Sequence, residues 1–354
     1  MRVEKARGDS MAFATTIYRG SARLNADLSS LREPGTGDRL DQVGETLVSP
    51  AGSVYPIVNG IPRFVGADNY ASDFGRQWQM FPATQLDSHT GVPMSEERLA
   101  RCFRGELPKV AGKRVLEVGS GAGRFTEVLL KHGALLDSFD YSDAVEANAA
   151  NNGANPFTLV QADIQSMPFE PNSYDFVLCL GVLQHTPDTE DSIARLWEMV
   201  RPGGRLIFDH YRWNLWLRLP PPLGNAEKLY RRIILHLPAE KRWPTVKKLV
   251  DFWFPVYWRF RDNPWVLRIL GRTAGIHFYY GVFPITSREQ NYEWSLLDTH
   301  DGMTDHFKRF RTVSSIRQTL EQLGAEDIHV WKGGNGVEAW CKKPSRSRSS
   351  DEPR

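Results

Sequence analysis

Glycines stand at alternate positions 119, 121 and 123 in VLEVGSGAGRFTEV, just after an apolar run that carries Glu117 near its end. A glycine turn between a strand and a helix lets the backbone approach a ligand, and the helix start offers unpaired N–H groups. Dinucleotide folds and methyl-donor folds both use this device, so the loop alone does not separate them. Its details do. The dinucleotide fingerprint needs its third glycine one place later, where Arg124 sits. Glu117 would repel a pyrophosphate but suits a ligand carrying an ammonium and a sulfonium. Asp140, in FDYS, can accept both ribose hydroxyls, and Asp163, in QADI, is placed to meet an adenine amino group. His185, in GVLQHTPD, is the leading candidate for a general base, with Gln184 beside it to orient ligand or substrate. The competing reading makes His185 a turn residue that only touches the pocket. His277, Tyr279, Tyr280 and Asp301 are further candidates, read first as packing or surface residues, and Arg124 reads as a solvated residue at a helix start.

These residues need elements to hold them. RVLEVG, LLDSFDY, FTLVQAD, YDFVLCLGV and RLIFDHY read as buried strands. GRFTEVLLKHG, SDAVEANAANN and DSIARLWEMV between them read as helices. Such alternation predicts an α/β fold with a parallel sheet covered on both faces and its ligand edge at the strand ends. TVSSIRQTLEQLG predicts a further helix, and EDIHVW with GVEAWCKK, joined by GGNG, a closing antiparallel hairpin.

Around this core, residues 1–45 read as a flexible N-terminal segment and 46–67 as a small β-like segment. Residues 68–113 read as a helical segment over the cleft, in which Phe74, Trp78 and Phe81 are more simply core than lid. The core covers 114–211. From 212 to 311 the alternation stops, and Trp213, Trp216, Trp243, Trp253, Trp258, Trp265 and Trp294 gather in a segment read as a helical cap. Between 212 and 275 thirteen Lys or Arg stand against four Asp or Glu, a local net charge of +9. LYRRIILHL puts Leu229, Ile233 and Leu237 on one face with the basic residues mostly elsewhere, the pattern of an amphipathic helix. Residues 312–343 complete the core, and 344–354 read as a disordered tail.

The pieces LEVGSGAGRF, FDYS, QADIQSMPF, YDFVLCLGVLQHTPD and RPGGRLIFD, taken in order, resemble a class I S-adenosylmethionine-dependent methyltransferase over about 114–211 and 312–343. The resemblance implies a Rossmann-like, seven-stranded, mostly parallel sheet ending in an antiparallel hairpin, with a helical insertion. The wider layout resembles a bacterial subgroup of glycan and natural-product pathways, through FGRQWQMFPATQLD (74–87) and LDTHD (297–301). It implies S-adenosyl-L-methionine as cofactor and S-adenosyl-L-homocysteine as product. Gly119, Gly121 and Gly123 would cradle the methionine part, with Glu117 meeting its ammonium through water. Asp140 would hold the ribose with Tyr141 beside the adenine, Asp163 and Ile164 the adenine, and the Leu180–Gly181 backbone the amino group. Arg76 or Arg98 would reach the carboxylate. Members of that subgroup carry a small zinc-ribbon-like module with paired cysteines before GIP. Here SPAG, Ser49–Gly52, stands in that place, so no metal is expected and packing of Tyr55, Ile57, Ile61 and Phe64 would hold the segment instead.

The totals set limits. The 354 residues carry a net charge of only +2, which argues against a whole-chain electrostatic nucleic-acid binder. Cys102, Cys179 and Cys341 offer neither a disulfide framework nor metal-ligand spacing. The first residues lack the apolar stretch of a secretory signal. The expected activity is methyl transfer to a hydroxyl, amine or carbon of a small molecule or glycan intermediate. The expected location is cytoplasmic, with a lipid-linked substrate and peripheral contact at the inner membrane face through 212–275 as the sharper reading of the basic cap. Modification of RNA or protein, or a module that binds the cofactor without chemistry, are the alternatives.

Overall fold

The computed structural model describes residues 28–66, 77, 78, 80–215, 219, 224 and 226–345. The sequence readings on residues 1–27, Phe74, Arg76, Trp216 and 346–354 lie outside these.

Four short strands open the described chain: β1 (Asp41–Val43), β2 (Thr46–Val48), β3 (Val54–Val58) and β4 (Ile61–Pro62). They form an antiparallel meander. Leu47, Ile57 and Ile61 are buried beneath it, and the Tyr55 and Phe64 rings pack with centroids 4.7 Å apart. Ser49 keeps its turn closed by accepting the amide protons of Gly52 and Ser53. Among the described residues no group of three or more His, Cys, Asp or Glu side chains could hold a metal ion.

The main sheet contains β5 (Arg114–Val118), β6 (Leu135–Asp140), β7 (Thr158–Gln161), β8 (Tyr174–Cys179), β9 (Val200–His210), β10 (Glu326–Gly333) and β11 (Gly336–Lys342). Their order is β10-β11-β9-β8-β5-β6-β7. The five core strands pair in parallel, and β11 enters antiparallel between β9 and β10. This is the Rossmann-like, mostly parallel seven-stranded sheet with a terminal hairpin. Strand order reverses at β5, whose neighbours β6 and β8 lead to opposite edges, so the loop after β5 stands at the switch point where α/β sheets bind ligands.

Helices cover both faces, and the longer ones carry apolar residues that pack on the sheet. α1 (Asp87–Thr90) and α2 (Met94–Cys102) precede the sheet, and α3 (Arg124–Lys131), α4 (Ala144–Asn152) and α5 (Thr189–Met199) connect its strands. Leu99 and Phe103 pack with Phe125, Leu129 and Phe176 on one face, while Ile193 and Leu196 pack with Leu206 and Phe208 on the other.

Between β9 and the last core helix lies the cap: α6 (Glu227–Leu235), α7 (Ala239–Arg259), α8 (Pro264–Thr273) and α9 (Arg288–Thr304), followed by α10 (Val313–Gln322). The cap has its own core, in which Ile234, Val246, Val250, Phe254, Leu270 and Leu296 meet. Leu229 and Ile233 face outward, and Ile234 takes the inward position on α6. No described helix is long and apolar enough to cross a membrane.

Candidate active site

The ends of the parallel strands, the segment before α1, and α6 and α9 enclose one cavity of about 1030 Å³. The glycine loop forms part of its wall, and each glycine has its own reason. Gly119 takes a φ of +74°, and a Cβ there would come within 2.2 Å of Val182. At Gly121 a Cβ would press on the Trp78 ring at 3.3 Å. Both glycines line the cavity. Gly123 does not. Its Cβ would strike Asn148 and Asn152 of α4 at 2.2 and 2.3 Å, so this glycine serves the packing of helices behind the loop.

Glu117 also sits behind the loop rather than on the cavity wall. One carboxylate oxygen accepts the hydroxyl protons of Thr126, at 2.5 Å, and Ser138, at 2.9 Å, while Oε1 has no hydrogen-bond partner. Burial pushes its pKa up to about 7, against the hydrogen bonds that pull it down.

Asp140 reaches the cavity and shapes it. Oδ2 accepts the Gly121 amide proton at 2.9 Å, and Oδ1 accepts from Ser142 N and Oγ at 2.8 and 2.7 Å. Burial raises its pKa. Tyr141, Asp163, Ile164, Leu180 and Gly181 line the same region. Asp163 caps a short turn by accepting from Gln165 N at 3.0 Å. Gly181 donates its N–H to Asp209 at 2.6 Å. Gln184 is 1% exposed, lines the cavity, and neither its amide oxygen nor its nitrogen has a partner. Buried side-chain amides are rarely left so, and this one is open to a ligand.

Two arginines on the wall, Arg98 and Arg124, differ from expectation. Arg98 lines the cavity, but its guanidinium is ion-paired with the fully buried Asp209. Arg124 is not a solvated helix-start residue. It lines the cavity, bonded only to neutral oxygens: Ser95 Oγ at 3.2 Å and Gln85 Oε1 at 2.8 Å. Burial, and then the charge of Arg98, pull its pKa down to about 9. Among the described residues no carboxylate stands at ion-pair distance from it. The sequence hid this because a helix-start arginine is ordinarily solvated, and its cover comes from distant elements: Gln85, Ser95 and, from α9 of the cap, Trp294.

His185 lines the same cavity. Its Nδ1 faces the Phe307 carbonyl at 3.2 Å and Asp305 Oδ2 at 3.4 Å, and its ring meets Tyr211 edge-on at 5.4 Å. Both neighbours of Nδ1 accept, so Nδ1 carries the proton of the neutral ring and Nε2 keeps its lone pair. Burial lowers the pKa, but the Asp305 hydrogen bond and the Asp301 charge outweigh it, and the net shift is upward. Asp305 is held in turn by Arg231 of α6, which donates to Oδ1 and to the backbone carbonyl, each at 2.7 Å. Asp305 and Arg231 escaped the sequence reading because their pairing with His185 spans separate elements.

Of the other candidates, His277, Tyr279 and Asp301 line the cavity, whereas Tyr280 packs on Trp258 and Arg261. Asp301 Oδ1 is buried without a partner, and burial raises its pKa to about 6. Asp298 joins them, accepting from Tyr279 and Gln85. Trp78 is on the cavity wall, while Phe81 packs on Trp243 at 5.7 Å.

Residues 116–208, the strands and loops that carry this wall, match a family described as a methyltransferase domain. Residues 116–208 are a class I methyltransferase domain of the S-adenosylmethionine-dependent type. The domain is similar to ubiquinone biosynthesis O-methyltransferases: 33% identical to that of Saccharophagus degradans over 113 residues, covering 31% of this chain and 48% of the relative. The one from Pseudomonas savastanoi pv. phaseolicola is 36% identical over 109 residues, covering 30% and 47%. The chain thus spans about half the length of the curated relatives it matches. Among solved structures, an S-adenosylmethionine-dependent methyltransferase from Mesorhizobium loti aligns with a TM-score of 0.40 at 16% identity, over 69% of this chain and 96% of that one. The N-methyltransferase NodS from Bradyrhizobium japonicum, in complex with S-adenosyl-L-homocysteine, aligns with a TM-score of 0.30 at 26% identity, over 33% and 62%. The matched region ends before the cap, so the side of the cavity formed by α6 and α9 is built from residues outside it.

Proposed function

We propose that the chain transfers a methyl group from S-adenosylmethionine to a small-molecule acceptor enclosed between the methyltransferase domain and the cap. The observation that carries this reading is the single cavity shared by the glycine loop, Asp140 and His185. The residues fit the cofactor: Gly119 and Gly121 leave a cradle that a Cβ would fill, Gln184 offers an unsatisfied side-chain amide, and Arg124 offers a guanidinium bonded to neutral oxygens on the same wall.

In this reading Asp140 holds the ribose, Asp163 and Ile164 the adenine, and the Leu180–Gly181 carbonyls the amino group. Arg124 replaces Arg98 as the partner of the carboxylate, because Arg98 already spends its charge on Asp209. Glu117 acts from behind the loop by fixing Thr126 and Ser138. The cofactor supplies an electrophilic methyl group on a sulfonium. The cap excludes water, and the protein aligns the acceptor. His185 Nε2 takes the acceptor's proton, with Asp305 and Arg231 fixing the ring.

The finer reading of the acceptor is a glycan intermediate, lipid-linked and met at the inner membrane face. What supports it is that the two segments behind that resemblance converge on the cavity: Trp78 and Gln85 from one, Asp298 and Asp301 from the other.

Methyl-labelled cofactor incubated with the protein and fractionated lysate tests the reading. Label in aqueous small molecules or lipid supports it, and label in RNA or protein overturns the acceptor class. Asp140→Ala should weaken cofactor affinity at least about tenfold, from lost charged hydrogen bonds; unchanged affinity would refute the ribose role.

A further inference from the structure

Two cap helices carry the same outward pattern. On α6, Leu229, Arg232 and Ile233 follow one another at helical spacing, and α8 repeats it with Trp265, Arg268, Ile269 and Arg272. The four apolar side chains are 55%, 63%, 74% and 63% exposed. They are not spare core residues, because Ile234 and Leu270 already fill the inward positions of these helices. The helices adjoin, with Ala226 N before α6 donating to the Arg272 carbonyl near the end of α8 at 3.0 Å.

The surface is basic as well as apolar. Lys228, Arg232, Arg268 and Arg272 are all exposed, and the Arg268 guanidinium lies 5.4 Å over the Trp265 ring. The acid of α6, Glu227, is turned away to Lys308. Exposed aliphatic and tryptophan side chains set among cations have the composition of a helix that lies in a lipid interface. The place matters too. Lys228, Arg231, Arg232, Leu235 and His236 of the same helical segment line the cavity.

We propose that the α6–α8 face docks on an anionic lipid surface and sets the mouth of the cavity at the interface. This rests on the reading that the cavity receives the acceptor, and it names where an amphiphilic acceptor enters. Charge complementarity favours lipid over a second copy, which would press this basic face against itself. Nucleic acid fits less well, because three of the four apolar side chains, Leu229, Ile233 and Ile269, offer no ring on which a base could stack, and Arg268 already lies over the one ring, Trp265.

The test is sedimentation of the full chain with vesicles of phosphatidylcholine alone or mixed with phosphatidylglycerol. The protein should bind the anionic vesicles and not the neutral ones, and salt should release it. Leu229→Ser combined with Trp265→Ser, both at exposed positions, should weaken binding about tenfold or more, through lost apolar insertion. S-adenosylmethionine affinity, measured alongside, should not change. No binding to anionic vesicles at low salt, or equal binding by the double variant, overturns the proposal. Self-association abolished by the same substitutions, without lipid binding, assigns the face to a second copy and also overturns it. Lipid binding without any methyl transfer would count against the proposed function and leave the docking surface standing.

Discussion

Gln77 and His300 lie 223 residues apart in the chain, and Gln77 Oε1 sits 2.7 Å from His300 Nδ1. Both side chains are buried, and the imidazole also meets Trp243 edge-on at 5.0 Å. Thr84 with Glu293 and Gln85 with Asp298 repeat the connection nearby. The segment before α1 is thereby tied to α9, and the cavity lies between that pair and the sheet.

Replacing Gln77 by Leu removes the 2.7 Å hydrogen-bond partner of the buried His300 imidazole, at a cost of about 0.5–1.5 kcal/mol. Trp78, the next residue, covers Gly121. Thermal unfolding should therefore shift downward and cofactor affinity should fall with it. A variant that loses stability but keeps full cofactor affinity would show that the tie does not hold Trp78 in place.

The glycines predict two different costs. Gly181 has a φ of +79° with open space around a Cβ, so Gly181→Ala pays only for the left-handed backbone, about 1–2 kcal/mol. Gly123→Ala adds a collision with Asn148 and Asn152, and overpacking costs about 1–3 kcal/mol more. Denaturant unfolding of the two variants should rank them in that order. Equal losses would mean that α4 moves aside freely.

Glu117 predicts a pH dependence of the ligand-free protein. Its folded pKa, about 7, is raised above the ordinary 4.5, so the folded chain holds this proton more tightly than the unfolded one. The stabilising contribution is full below about pH 4.5 and is lost as pH rises through 7, by at most about 3 kcal/mol. Glu117→Gln should flatten this part of the unfolding temperature profile between pH 5 and 8. An unchanged slope would place its origin elsewhere, with Asp301 as the next group to test.

His185→Ala should lower turnover by about 10²–10⁴-fold while cofactor affinity survives. The folded pKa of His185 is raised, and a protonated imidazole is no base, so the rate should climb with pH through a value above 6.5. Asp305→Asn removes two of the causes that raise it, and the acid limb should move to lower pH. A limb that stays in place would mean that another group sets it.

Much of the core was legible because its information is local. Strand–helix alternation, the glycine spacing and the acids at strand ends follow from neighbouring residues, and they led to the parallel sheet, the terminal hairpin and the cavity wall at Gly119, Gly121, Asp140 and Asp163. Local reasoning also set its own limits. It grouped Gly123 and Glu117 with the ligand-facing residues because they belong to the same short run. A turn of backbone points neighbouring residues to opposite sides, and those two point into the packing behind the loop.

The sequence by itself determined the fold class and which loop walls the cavity, since periodicity and turn chemistry act within a few residues. Only the tertiary structure decided which charges remain available there. Arg98 is neutralised by Asp209, Arg124 is left facing neutral oxygens, and His185 is oriented by Asp305 and Arg231. It also decided that Leu229 and Ile233 face out, because the cap core was already filled by Ile234 and its neighbours. Burial and charge pairing depend on what the rest of the chain brings alongside, and no local pattern encodes that.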